Sequence, residues 1–563
     1  VPSAHVEREL KVRLPADAAP DVVASLVADV RRGGASEGGA PDGEHASTEA
    51  VASVEATDAV ELVAVYHDTL DLRLARWGVT LRRREGGGDA GWHLKLPQPH
   101  DETADGVAER LELGAPLSAG EVGDPPAELL DLVAALVRDA PVRPLAQVRT
   151  LRRTWVVRDA AGAALVEVSD DAVQTARLGL DEAEEAAQPE GSETTDAQDG
   201  PGGGIEFREV EVEAATGTDG RPVEGSDAVV AALSAALEAV GATPSPSGKG
   251  VEALGAAALG PADVVVPADQ HGDDGDGSAR EALRAVLASQ TQALLWADVA
   301  VRLGEPDGVH DFRVAARTLR SALRTFAPLL EEDWRDALRS ELSWVAGAFG
   351  EARDAEVQRE LLQHDAERLG SDDAEAAAGV VDRLLTQRYE TAHAAALAQL
   401  RTRRYLELLE ALVAAAREPL TTAVATHDVA RGLRPLVTVA GRRLRGKADT
   451  LDLAVDAERW HRVRIHAKRA RYAADALAAT GSKRARRLAK ALKKVTTVLG
   501  DVHDAAVSQE VLRDLAAEPD VTSEEGLALG LLIAAERDKE RELQEAFLEV
   551  WPTVRKELRR FDD

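Results

Sequence analysis

At 563 residues the chain has room for roughly two to four domains with sizeable cores, and 45% hydrophobic content supports a globular class. The absence of cysteine excludes disulfides, thiolate metal sites and cysteine nucleophiles. Any metal must be held by carboxylate, histidine or water, and 99 Asp and Glu residues favour a hard cation, Mg²⁺ or Mn²⁺.

No apolar run approaches the ~18 residues that span a bilayer, and no basic segment followed by an apolar core opens the chain. The expectation is therefore a cytoplasmic protein without a membrane partner. With no methionine even at position 1, the chain is expected to begin after a removed initiator. The net charge of −32 is unevenly spread. Residues 279–563 hold 45 of the 67 basic and 47 of the 99 acidic residues, leaving 22 basic against 52 acidic in residues 1–278. Within the second half, residues 431–494 carry 19 basic and 5 acidic side chains, a block that points to a polyanionic partner.

In chain order, the first element is a strand over 5–14, "HVERELKVRL". Alternation puts His5, Glu7, Glu9, Lys11 and Arg13 on one face and Val6, Arg8, Leu10, Val12 and Leu14 on the other. A Gly/Ala/acid-rich stretch over 33–58 reads as disordered. Further strand patterns follow at 60–68, 79–85, 91–96, 107–113, 148–158, 163–170 and 205–213, with helical patterns near 20–31, 125–139 and 226–240. Two more low-complexity stretches lie at 182–204 and 255–279. Eight strands with few helices between them favour a closed antiparallel barrel.

The charged face of the first strand returns along the others. Arg82 and Arg84 share a face, as do His93 and Lys95, Arg110 and Glu112, and Glu209, Glu211 and Glu213. Arg152 and Arg153 compete for one inward position, and Asp170 and Asp171 for another; alternation with Glu167 favours Asp171. One such strand is explained equally well by a solvated face, but the set points to an inward polar lining. Clustered Arg and Lys match phosphate oxygens. Clustered Glu would repel that phosphate unless a divalent metal sat between them, so the two together imply metal-assisted phosphoryl chemistry.

After residue 279 the periodicity becomes helical. His310, Arg313, Arg317, Arg320 and Arg324 form one stripe without an acid, unlike solvated stripes that mix signs. "VHDFRVAARTLRSAL" at 309–323 matches "WHRVRIHAKRARYAA" at 460–474, and "AFGEARDAEV" at 348–357 matches "VLGDVHDAAV" at 498–507. The second stripe is His461, Arg464, Lys468 and Arg471. Lys483, Arg484, Arg486, Arg487, Lys490, Lys493 and Lys494 extend it on a following helix.

Glu7-x-Glu9-x-Lys11, "LRRR", "WHLKLP", a late "EVEVE" and "SGKG" resemble the CYTH family of triphosphate tunnel metalloenzymes over about 1–253. The resemblance implies an eight-stranded antiparallel tunnel that hydrolyses a triphosphate with Mg²⁺ or Mn²⁺. Glu7, Glu9 and Glu211 would be metal ligands, with Glu209 or Glu213 assisting. Lys11, Arg82, Arg84, Lys95 and Arg152 would grip phosphates, and Lys249 and Asp171 would contact substrate. Lys249 matches a late Ser-Lys element into which Gly248 is inserted. Arg110 and Glu112 read as a pair within the wall.

"HDFRVAARTLR", "HRVRIHAKRARY" and "LGDVHD" resemble the CHAD family, the conserved-histidine α-helical domain, over roughly 279–563. That implies two helical-bundle repeats, about 279–430 and 431–563, binding inorganic polyphosphate through both stripes and through Lys490 and Lys494. It extends the expected location to polyphosphate granules. His310 and His461 read equally well as polyphosphate contacts or as packing, since no neighbouring ligands stand at zinc-like spacing.

Nucleic acid is disfavoured as the polyanion: no groove-reading motif appears, and aromatic residues are 3% of the chain. The expected fold is thus α+β multidomain, with a tunnel barrel over 1–253, a linker over 254–278 and an all-α duplicated domain over 279–563. The expected activity is inorganic triphosphate hydrolysis. Hydrolysis of a nucleoside or thiamine triphosphate, ATP cyclisation, and a non-catalytic polyphosphate-binding role are the alternatives.

Overall fold

The computed structural model describes residues 3–31, 51–97, 108–178, 204–215, 223–245, 247–267, 279–369, 371–423, 429–478 and 482–562. The chain divides into two units, Val1–Asp263 and Val264–Asp563.

The first unit is built on strands β1 (Ser3–Arg13), β2 (Ser53–Ala56), β3 (Val60–Asp68), β4 (Thr80–Glu85), β5 (Gly91–Pro97), β6 (Ala108–Ala115), β7 (Arg143–Arg158), β8 (Ala164–Arg177), β9 (Glu206–Ala214) and β10 (Thr243–Pro244). Antiparallel pairing runs β1–β6–β5–β4–β3–β7–β8–β9. It returns from β9 to β1 through Glu9↔Glu213, Lys11↔Glu211 and Arg13↔Glu209. The eight expected strands therefore curl into a ring, with β2 added beside β7 and β10 beside β1. β2 falls inside the stretch read as disordered. Four residues offer too short an alternation to be recognised among Gly and Ala.

Both faces of the ring are covered, which is why charged and apolar residues alternate along single strands. On β5, Trp92 and Leu94 are fully buried, and His93 and Lys95 between them are 8% exposed. The outward apolar residues of β1, β8 and β9 lie under helices α1 (Val22–Arg31) and α5 (Ser226–Ala239), in a core of Leu10, Val12, Val23, Val27, Val168, Val212, Val229 and Leu233. Between those two helices in sequence come the short helices α2 (Arg73–Arg76), α3 (Ala127–Leu132) and α4 (Ala134–Val137).

Helix α6 (Lys249–Leu254) packs against the inward side of the ring, where Ala64, Tyr66, Ala146, Val148 and Val173 meet its Ala253 and Leu254. It approaches so closely that a Cβ on Gly250 would lie 2.2 Å from the Tyr66 ring. Residues 254–263, read from sequence as the start of the linker, belong to this packing. Leu254 and Ala258 are buried in the same core, and the Asp263 carboxylate takes the Arg138 guanidinium and the Trp77 indole N–H.

The second unit is helical among the described residues. Helices α7 (Ala279–Leu303), α8 (Gly308–Thr325), α9 (Glu332–Ala348), α10 (Gly350–Ala366), α11 (Ser371–Leu400) and α12 (Arg403–Arg417) form the first repeat. Helices α13 (Val429–Ala448), α14 (Ala457–Ala478), α15 (Lys483–Ala516) and α16 (Ser523–Asp562) form the second. Each long helix of the second repeat matches one helix or two successive helices of the first. The break at Phe349–Gly350 has its counterpart at Gly500, inside the unbroken α15. The repeats pack like on like: α8 against α14, α10 against α15 and α11 against α16. Ser508 donates to Gln358 at 2.9 Å across 150 positions, so a residue meets its own counterpart at a local two-fold axis.

Candidate functional site

Strand register decides what shares the interior of the first unit. Across β7, β8 and β9, Arg152 lies opposite Asp171 and Asp171 opposite Glu209. Glu211 lies opposite Lys11 on β1. Lys249 enters from the first turn of α6. Its Nζ lies 2.7 Å from Asp171, 2.9 Å from Glu209 and 2.7 Å from Glu211. Lys11 Nζ is 2.7 Å from Glu9 and 3.2 Å from Glu211. Arg152 clasps Asp171 with two bonds of 2.8 and 2.6 Å and also reaches Glu211.

The competing neighbours turn away. Arg153 stands opposite Asp170, and Asp170 takes Arg208 at 2.7 and 2.6 Å. Gly248 between Ser247 and Lys249 leaves the late lysine in the cluster, because the helix begins at Lys249 itself.

A second wall is cationic. Arg82 and Arg84 on β4 face the same interior as His93 and Lys95 on β5, since Arg82 pairs with His93. Arg84 is 5% exposed and pairs with Asp89. Glu112 does not pair with Arg110; it takes Lys95 at 2.8 Å and His93. On β1, Glu7 stands opposite Arg110; its side chain lies outside the described residues. The linear sequence did not single out Ser245, whose hydroxyl donates to Glu209 at 2.6 Å. Its only signal there was its nearness to "SGKG".

The electrostatics follow from burial and neighbours. Burial works against the Glu211 carboxylate, yet Lys249, Lys11 and Arg152 hold it well below the usual carboxylate range. Burial likewise opposes Lys11 and Lys249, but the surrounding carboxylates raise both. Burial with Arg82 and Arg152 pushes Arg84 down to about 10. Glu213 goes the other way: burial with Glu9 and Glu167 pushes it up to about 7. Cations therefore engage Glu9, Glu209, Glu211 and Asp171, whereas Glu213, beside Glu9 and Glu167, stands where carboxylates outnumber cations. Among the described residues no three His, Asp or Glu groups stand together as a ready-made metal shell. The surplus of oxygen donors around Glu213 nonetheless fits a hard divalent cation.

In the second unit the two stripes face one another. Burial and the Arg464 and Arg317 guanidiniums push Lys468 down to about 8, and Arg317 belongs to the opposite stripe. The structure adds acids that no stripe contains: Arg313 lies 3.8 Å from Asp354, and the matching Asp504 acts on Arg464 and Lys468. Arg320 bonds Ser343 at 3.0 Å, Arg471 bonds Thr496 at 3.2 Å, and Arg324 is exposed. His310 lies half-buried on α8. The His461 ring lies 5.0 Å from that of His503, tilted at 46°; the linear reading did not single out His503, and burial with Arg464 and His461 pushes it down to about 4. Lys490 and Lys494 are exposed on α15.

Comparison with known proteins agrees with this architecture. The CYTH domain model matches residues 41–223 and the CHAD domain model residues 285–513. Two proteins of Mycobacterium tuberculosis, "Uncharacterized protein MT2285" and "Uncharacterized protein Rv2226", are each 37% identical over 511 residues, 87% of this chain and 89% of theirs. Among solved structures, PptA from Streptomyces chartreusis is 26% identical with a TM-score of 0.43, covering 49% of this chain and 100% of that one. The CHAD domain from the plant Ricinus communis is 27% identical with a TM-score of 0.40, covering 51% and 93%. The chain belongs to the CYTH and CHAD families, a triphosphate tunnel enzyme domain followed by a CHAD domain. Among the described residues no helix is long and apolar enough to cross a membrane.

Proposed function

We propose that the first unit hydrolyses inorganic triphosphate and that the second holds inorganic polyphosphate. What carries the reading is the closed ring on whose inner face Arg82, Arg84, Lys95, Arg152 and Lys11 share space with Glu9, Glu211 and Glu213. The cations offer forked and point-charge donors to phosphate oxygens. Glu7, Glu9, Glu209, Glu211 and Glu213 would hold Mg²⁺ or Mn²⁺. Such an ion supplies charge neutralisation at the phosphate oxygens and a polarised water.

The residues orient the chain so that water attacks the terminal phosphorus, the bridging P–O bond breaks, and pyrophosphate leaves as orthophosphate forms. Lys249 and Asp171 hold Glu211 and Arg152 in place. Inorganic triphosphate is favoured over nucleotides because the facing stripes His310–Arg324 and His461–Arg471 offer a neighbouring unit the same phosphate chemistry, without aromatic platforms for a base.

A substrate panel tests this. With Mg²⁺ or Mn²⁺, phosphate release from inorganic triphosphate should outpace release from ATP or thiamine triphosphate, without formation of cyclic AMP. Glu9→Ala should abolish it. Equal activity in the variant overturns the metal assignment, and faster nucleotide turnover overturns the substrate. Binding without turnover of any triphosphate would make the barrel a binding module.

A further inference from the structure

His93 on β5 is held between the fully buried Trp92 and Leu94, and both of its ring nitrogens are engaged. Nδ1 meets a Glu112 carboxylate oxygen, and Nε2 lies 3.0 Å from the backbone carbonyl oxygen of Asp89. A carbonyl only accepts, an ionised carboxylate only accepts, and a neutral imidazole has a single N–H to give. The two contacts together therefore require one proton more than a neutral histidine beside an ionised glutamate. The other Glu112 oxygen lies 2.8 Å from Lys95 Nζ, which favours the ionised glutamate and so places the extra proton on the imidazole.

The rest of the wall opposes that proton. Arg82 stands opposite His93 across β4 and β5, and Arg84 follows on the same face with Asp89 as its partner. On β1, His5 stands opposite Glu112; its side chain lies outside the described residues. Burial presses His93 below the ordinary histidine value, Glu112 resists the fall, and Arg82 and Arg84 add to it. The hydrogen-bond geometry is thus that of a protonated pair, in surroundings that favour loss of the proton. An anion set against Arg82 and Arg84 resolves the conflict, because its charge cancels the repulsion that those guanidiniums exert on an imidazolium.

We propose that a phosphate group set against Arg82 and Arg84 binds together with one proton, which the His93–Glu112 pair takes up, so that the wall gains a positive charge as the substrate arrives. His93 is a positioning residue in this arrangement: with both nitrogens engaged it makes no phosphate contact itself and offsets substrate charge from within the wall. The inference rests on the triphosphate reading of the first unit and adds to it how the charge of the substrate is met. Its test uses the full-length protein with isotope-labelled histidine rings, in which NMR reports the protonation of each ring nitrogen. The His93 signals are those lost in His93→Gln. The probe is the imido analogue of inorganic triphosphate, whose P–NH–P bridges resist hydrolysis, added with Mg²⁺ and with saturation followed by calorimetry.

Saturation should raise the pH at which the His93 ring loses its proton by about one unit, so that this proton makes binding about tenfold tighter at low pH than at high pH. His93→Gln should lose that part of the pH dependence. In Glu112→Gln the ring should stay neutral at a pH where the saturated wild type carries the proton. A His93 ring whose protonation does not change on saturation overturns the proposal, as does a pH dependence of binding that His93→Gln leaves intact. If the analogue does not bind, the triphosphate reading fails. The pair is then scored with orthophosphate, which needs only the two guanidiniums and should raise the same value, and an unmoved ring overturns the proposal.

Discussion

Lys249 is one ammonium shared by three carboxylates, of which Asp171 and Glu209 are both 0% exposed. Removing one partner of a buried ionic group leaves the rest uncompensated, a loss of about 3–5 kcal/mol. Lys249→Met should therefore lower the urea midpoint of the first unit's unfolding transition by that scale, and an unchanged midpoint would show the carboxylates to be otherwise satisfied. The same variant should slow triphosphate turnover, because Glu211 and Arg152 lose a shared neighbour.

Residue identity at this site was partly legible in advance. Period-two alternation along β1, β4, β5 and β9 put the right side chains on one face. It favoured Asp171 over Asp170 through Glu167 but left Arg152 level with Arg153, because a choice between adjacent positions depends on which face the barrel closes over. Glu112 was assigned to Arg110, which shares its face of β6, yet its partners lie on β5. Cross-strand register, which the linear text does not contain, made that choice.

Two helices set face to face make the cationic surface of the second unit. Burial and the guanidiniums of Arg464 and Arg317 bring Lys468 down to about 8, so near that pH part of the population is neutral. A bound polyanion favours the charged form and raises the value. Polyphosphate binding at pH about 8 should therefore take up protons through Lys468. Titration calorimetry in buffers of different ionisation enthalpy measures the uptake. Lys468→Met should remove it, and uptake that persists would locate the proton elsewhere.

The break between α9 and α10 and its unbroken counterpart in α15 yield a second prediction for these elements. Gly500 lies inside α15, and a Cβ there would meet nothing within 4 Å. Gly500→Ala should thus stabilise the second unit by about 0.5–1 kcal/mol, read as a raised urea midpoint. A lowered midpoint would mean that helix flexibility at this position contributes to the native state. The repeat itself was visible from "VHDFRVAARTLRSAL" and "WHRVRIHAKRARYAA". Asp354 and Asp504, which temper the stripes, were quoted only as landmarks of the repeat, because their contact with Arg313 and Arg464 comes from helix packing.

For the molecule as a whole, the two units should separate under chelation. Stripping divalent cations should stop phosphate release in the first unit, whose carboxylates exceed their cationic partners around Glu213. Retention of polyphosphate by the second unit, which offers Arg, Lys and His directly, should persist. Loss of both on treatment with EDTA, with recovery of both on adding Mg²⁺, would show that polyphosphate is held through metal. Retention should also fall steeply with salt, as expected of charge pairing at an accessible surface.

The sequence by itself determined the strand and helix periods, the alternation of charge on the barrel strands, the two stripes and the repeat. All are local: side-chain direction follows the backbone's own period of two or about 3.6 residues. Only the tertiary structure decided that the charged strand face points inward, that Lys249 rests among Asp171, Glu209 and Glu211, that residues 254–263 pack with the barrel, and that His93 meets Glu112 and Asp89. Those depend on ring closure and on helices brought together from distant parts of the chain, where burial makes each unpaired charge costly and so selects its partner.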